Sequence, residues 1–110
     1  MKCAELFNIA GQGALVTGAG SGLGLAIAEA LAESGARVTL LDVDAGRIAA
    51  ETGRLERLGC AVRGEAVDVS DHAALERAFD AAVASHGRLD IVFANAGIDS
   101  GPGFVTGWSG

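Results

Sequence analysis

The chain has 110 residues, half of them hydrophobic, with 17 glycines, one proline and a formal net charge of −6. That length suits one domain with a buried core, and the composition excludes a disordered chain. A pI near 4.7 argues against binding a phosphate backbone, so no nucleic-acid partner is expected.

The N-terminal stretch through Phe7 carries Glu5 where a signal peptide needs uninterrupted apolar residues, and no apolar run reaches bilayer-spanning length. A cytoplasmic protein with no membrane partner is the expectation. Cys3 and Cys60 lack metal-ligand spacing, and His72 and His86 cannot complete a zinc set with them, so reduced thiols and no metal are expected.

The first predicted strand, Ala14–Thr17, runs directly into Gly18-Ala-Gly-Ser-Gly22-Leu-Gly24. A helix follows, with Leu23, Ile27 and Leu31 on its inward face, Glu29 and Glu33 on the other, and Gly35 as a left-handed stop. The second strand is Arg37–Leu41, with Asp42 at its end. The second helix spans about 44–58, with Ile48, Thr52 and Leu55 inward, an outward Arg47–Glu51 pair, and Gly59 ending it. A third strand, Ala61–Val67, leads to Asp68-Val69. The third helix is capped by Ser70, buries Leu75, Phe79, Ala82 and Val83, and stops at Gly87. Leu89–Ala94 forms the fourth strand and delivers Asn95-Ala96-Gly97.

Strands that are apolar at consecutive positions are buried on both faces and parallel. Alternation with helices and right-handed crossovers predicts an α/β, doubly wound sheet of four strands in the order 3-2-1-4, with two helices on one face and one on the other. Residues 99–110 contain the only proline and no periodicity, and read as a Gly-rich loop cut short. The chain is therefore expected to be a fragment, with residues 1–98 forming the nucleotide-binding part.

Glycines between a strand and a helix let a pyrophosphate touch backbone, and the unpaired N–H groups and dipole of the helix favour an anion there. Gly18, Ser21, Gly22, Leu23 and Gly24 are the candidate phosphate contacts. Asp42 is placed to accept hydrogen bonds from an adenosine ribose and to repel a 2′-phosphate. Neither the glycine loop nor Val43 supplies a Lys or Arg to neutralise that phosphate, so NAD is expected over NADP. Asp68 and Val69 are candidates for the adenine, and Asn95, Ala96 and Gly97 for the nicotinamide ribose. The alternative role for Asp68 is a loop acid preceding a helix cap.

These motifs, in this order, resemble the N-terminal half of the short-chain dehydrogenase/reductase family over about residues 5–98. The resemblance implies a Rossmann-like fold, NAD as cofactor, hydride exchange with a small-molecule alcohol or carbonyl substrate, and a homo-oligomer. Ala94 departs from the family, which often has Asn there. The family's catalytic pair is a Tyr followed four positions later by a Lys. This chain contains no Tyr, and its one Lys is Lys2. No catalytic residue is assigned, and the chain alone is expected to be inactive. Two alternatives stand beside this reading: a noncatalytic NAD-binding or interaction module completed by another chain, and a methyltransferase, against which Thr17 stands where an acid often precedes the glycines.

Overall fold

A computed structural model describes residues 9–95. Seven elements alternate along it: β1 (Gly13–Thr17), α1 (Gly22–Glu33), β2 (Arg37–Asp42), α2 (Ala45–Arg57), β3 (Val62–Ala66), α3 (His72–His86) and β4 (Ile91–Ala94). The strands pair in parallel in the order β3-β2-β1-β4, as the strand–helix rhythm predicts. The central strand β1 is paired on both sides and buried throughout, which is why its residues are consecutively apolar.

Period two divides the core into two layers. Ala14 and Val16 of β1 join Val38 and Leu40 of β2 under α1 and α2, which contribute Ala28, Ala32, Ile48 and Leu55. Leu15 and Leu41 point the other way and meet Ala78 and Ala82 of α3. Residues 96–110, with the expected terminal loop, lie outside the described residues.

Side-chain roles depart from expectation at several points. The buried positions of α1 are Gly24, Ala28 and Ala32, whereas Leu23 is exposed and Ile27 and Leu31 are only partly covered. The reason is clearance: a Cβ on Gly24 would collide with the Gly18 carbonyl, so the helix approaches the sheet on its smallest residues. In α2 the predicted Arg47–Glu51 pair gives way to other partners. Arg47 lies 3.9 Å from Asp44, while Arg54 takes Glu51 and, across to α1, Glu29, each at 2.8 Å. Those two contacts hold the Arg54 guanidinium firmly charged.

Thr52 does turn inward, but its buried hydroxyl lacks a hydrogen-bond partner among the described residues. It sits where Gly64 leaves room, since a Cβ there would strike Thr52 Oγ1 and Ile48 Cγ2. At α3 the N-cap is Asp71, whose side chain accepts from the Ala74 N–H; the predicted Ser70 donates to Asp68 instead. Val83 is exposed, while Leu75 and Phe79 pack partly against the core. Gly87 ends α3 at φ 81°, as predicted.

Candidate functional site

At the carboxyl ends of β1, β2 and β3 the described residues form a cleft of about 590 Å³. Its walls include Gly18, Ser21, Gly22, Leu23, Asp42, Asp68, Val69 and Asn95, so the structure gathers eight of the predicted positions around one space. Gly24 does not line it. That residue lies beneath, where a Cβ would also come within 2.8 Å of Asn95 Nδ2. Ala96 and Gly97 lie outside the described residues.

The floor of the cleft is the turn from β1 into α1. Gly18 and Gly22 adopt φ of 63° and 60°, a region that side chains disfavour, and nothing lies within 4 Å of a Cβ built on Gly22. Ser21 is the N-cap of α1 in extended conformation, but its side chain makes no capping hydrogen bond, and the first turn holds no acid. The N-terminus of α1 thus keeps its donors and its positive end for an anion. Leu23 stands 59% exposed because it belongs to the cleft wall and not to the helix–sheet interface.

Asp42 joins the end of β2 to this turn. Its Oδ2 accepts from the Gly20 N–H at 2.9 Å and its Oδ1 from the Asp44 N–H at 3.0 Å. Each carboxylate oxygen has more than one acceptor site, so these bonds orient the group and leave it able to accept from a ligand. Gly20 is required by the same geometry, since its Cβ would lie 2.8 Å from Asp42 Oδ2.

That Cβ would also lie 3.1 Å from Arg47 Cδ. Neither the glycine loop nor Val43 carries a cation, but the first turn of α2 brings Arg47 alongside this corner. A helical position three residues beyond the Asp44 cap was the available signal.

Asp68 Oδ1 accepts from both the hydroxyl and the N–H of Ser70, at 2.7 and 3.0 Å. Those bonds, the hydroxyl first, hold its carboxyl below the ordinary value. The loop-acid role is therefore real, and the same carboxylate also borders the cleft. Asn95 is buried, and its backbone N–H donates to Thr17 Oγ1 at 2.9 Å, which ties the end of β4 to the start of the glycine turn. Val43, Val67 and Ser70 also line the space and were not assigned as cofactor contacts from sequence. No group of three His, Cys, Asp or Glu side chains that could hold a metal occurs among the described residues.

His86 lies at the end of α3, remote from the cleft. Its ring is buried with Nε2 2.8 Å from Thr39 Oγ1, so it is a core side chain.

Comparison with known proteins gives a consistent result. A family model described as short chain dehydrogenase matches residues 12–106. D-threitol dehydrogenase of Mycolicibacterium smegmatis is 45% identical over 92 residues, covering 84% of this chain and 35% of that protein. The 1-deoxy-11-beta-hydroxypentalenate dehydrogenase of Streptomyces avermitilis is 38% identical over 96 residues, covering 87% and 35%. A short chain dehydrogenase/reductase from Burkholderia phymatum, solved in complex with NAD, superposes with a TM-score of 0.76 at 38% identity, covering 78% of this chain and 31% of that one. A hydroxysteroid dehydrogenase from Escherichia coli superposes with a TM-score of 0.78 at 31% identity, covering 81% and 38%. The chain spans about a third of the length of these relatives.

Proposed function

Because the chain belongs to the short chain dehydrogenase family, we propose that it is the cofactor-binding part of an NAD-dependent oxidoreductase acting on a small alcohol or carbonyl substrate. The observation that carries this reading is the cradle between β1 and α1. Gly20 and Gly24 sit where any side chain would collide with protein, Gly22 opens onto free space, and the donors of the helix face the same cleft as Asp42.

In this reading Gly18, Ser21, Gly22 and Leu23 border the pyrophosphate, and Gly24 lets the helix come close enough to present its N–H groups. Asp42, aimed by Gly20 and Asp44, accepts from the ribose hydroxyls. Asp68 and Val69 flank the adenine. Asn95 borders the nicotinamide ribose, and Ala96 and Gly97, outside the described residues, are proposed from sequence as further contacts to it. NAD, when bound, supplies the hydride acceptor or donor.

None of these residues transfers a proton in the reaction, and we assign no catalytic residue. The absence of Tyr and the placement of the one Lys at Lys2 leave the family's Tyr–Lys pair without a match in this chain. Preference for NAD over NADP is part of the proposal and rests on the negative charge of Asp42. The nearby Arg47 works against it.

Isothermal calorimetry of the purified chain with NAD tests the assignment, with S-adenosylmethionine as the competing ligand. Saturable binding of NAD alone is expected, together with no oxidation of NADH in the presence of a panel of carbonyl compounds. Absence of NAD binding by the folded chain overturns the cofactor assignment, and steady turnover overturns the assignment of no catalytic group. Homo-oligomerisation and a cytoplasmic location are proposed on family likeness; no helix among the described residues is long and apolar enough to cross a membrane.

A further inference from the structure

The sheet face beneath α3 is covered unevenly. α3 lies over Leu15 and Leu41, while the starts of β2 and β3 present polar side chains beside it. Thr39 and Arg63 are register partners across β2 and β3, and Arg37 precedes Thr39 by two positions, so period two puts all three on one face. His86 completes the group from the last turn of α3, with its ring on Thr39. Arg37, Arg63, Ser85 and His86 line a cavity of about 280 Å³. Arg37 begins the strand that Asp42 ends, so this cavity lies at the opposite end of the sheet from the glycine turn.

Two guanidinium groups and an imidazole converge here in a chain of net charge −6, and their donors are poorly used. Arg37 Nη1 reaches the His86 carbonyl at 3.5 Å, and Arg63 Nη2 reaches Glu65 Oε1 at 3.5 Å, both at the long limit of an effective contact. Arg63 Nη1 is buried with no hydrogen-bond partner among the described residues. A desolvated donor without an acceptor is unfavourable, and so is the packing of like charges. Glu65 is the one acid paired with this group among the described residues, and Asp90 is already engaged by Arg88 and the Gly13 N–H. An anion in the cavity offsets the like charges of Arg37 and Arg63.

We propose that this cavity is a second ligand site, which takes a phosphoryl group between Arg37 and Arg63 with the Ser85 hydroxyl as an additional donor. Planar guanidinium forks match phosphoryl oxygens in geometry as well as charge. The site is independent of the cofactor assignment, because it shares no residue with the cleft at the glycine turn.

His86 serves as the reporter. Burial first, then the charges of Arg63 and Arg37, hold its pKa below the ordinary value. A bound dianion offsets the two arginines and moves the titration upward.

Inorganic phosphate is titrated into the 110-residue chain at constant ionic strength while the His86 ring signals are followed by NMR, with sodium chloride as the matched control. A saturable His86 shift and a rise in its titration midpoint are expected with phosphate alone. Arg63→Gln and Arg37→Gln should each weaken binding by about tenfold or more, the value of a lost charge-assisted hydrogen bond. Glu65→Gln should tighten it. Equal shifts in both salts, or saturable binding that survives both arginine substitutions, overturns the proposal. Arg37 is exposed at the start of its strand, so its variant remains decisive if Arg63→Gln does not fold.

Discussion

In the proposed assignment, Asp42 serves both fold and site. Its two oxygens hold the Gly20 and Asp44 N–H groups, fixing the corner where β2, the glycine turn and α2 meet. Asp42→Ala should therefore weaken NAD binding and narrow the gap to NADP, with each lost charged hydrogen bond worth roughly 1.5–3 kcal/mol before compensation. Calorimetry with both dinucleotides measures this; unchanged NAD affinity in a folded variant removes Asp42 from the ribose site. At His86 the prediction concerns pH. Its folded pKa lies below the unfolded value, so the unfolded chain takes up the proton first as pH falls below about 6.5. The stability associated with the neutral ring is present above that pH and declines as acid approaches the folded pKa. Urea midpoints should fall between pH 7.5 and 5.5, and His86→Asn should flatten the slope over that range.

At the scale of elements, periodicity located every helix and strand among the described residues, yet it misassigned several side chains. The α3 cap is one case. Asp71 accepts from the Ala74 N–H, and its loss should cost about 0.5–2 kcal/mol of stability by thermal unfolding. Ser70→Ala should cost α3 less, because Ser70 bonds to Asp68 and not to the helix. Equal losses would place the cap one residue earlier. The inward face of α1 is another case. Leu23, Ile27 and Leu31 carry the hydrophobic signal, but a helix that must bring its N-terminus against a peptide turn approaches on Gly24, Ala28 and Ala32. Apolar spacing reports which residues avoid water, and close approach selects the small ones.

Over the whole molecule, the edge strand β4 has partly exposed residues at all four positions, in contrast to the buried β1. Among the described residues, the outer edge of Ile91, Val92, Phe93 and Ala94 has no strand partner and carries apolar side chains, a combination that favours further strand pairing. Light scattering of the isolated chain should show concentration-dependent association. A strictly monomeric solution up to high concentration would mean that this edge is otherwise protected.

Strand order, parallel pairing and the position of the glycine turn were legible because each depends on local chemistry: apolar runs, helix stops and residues without a Cβ. The gathering of Asp42, Asp68 and Asn95 around that turn was also legible, since all three end strands of one parallel sheet. What only the tertiary structure decided are the contacts between elements distant in sequence: Arg47 beside Gly20, Arg54 joining α2 to α1, Gly64 receiving Thr52, and Arg37, Arg63 and His86 converging under α3. Residue type and spacing determine a backbone path and its ends, whereas which long side chains meet is set by how closely helices settle on the sheet, a distance that no single segment encodes.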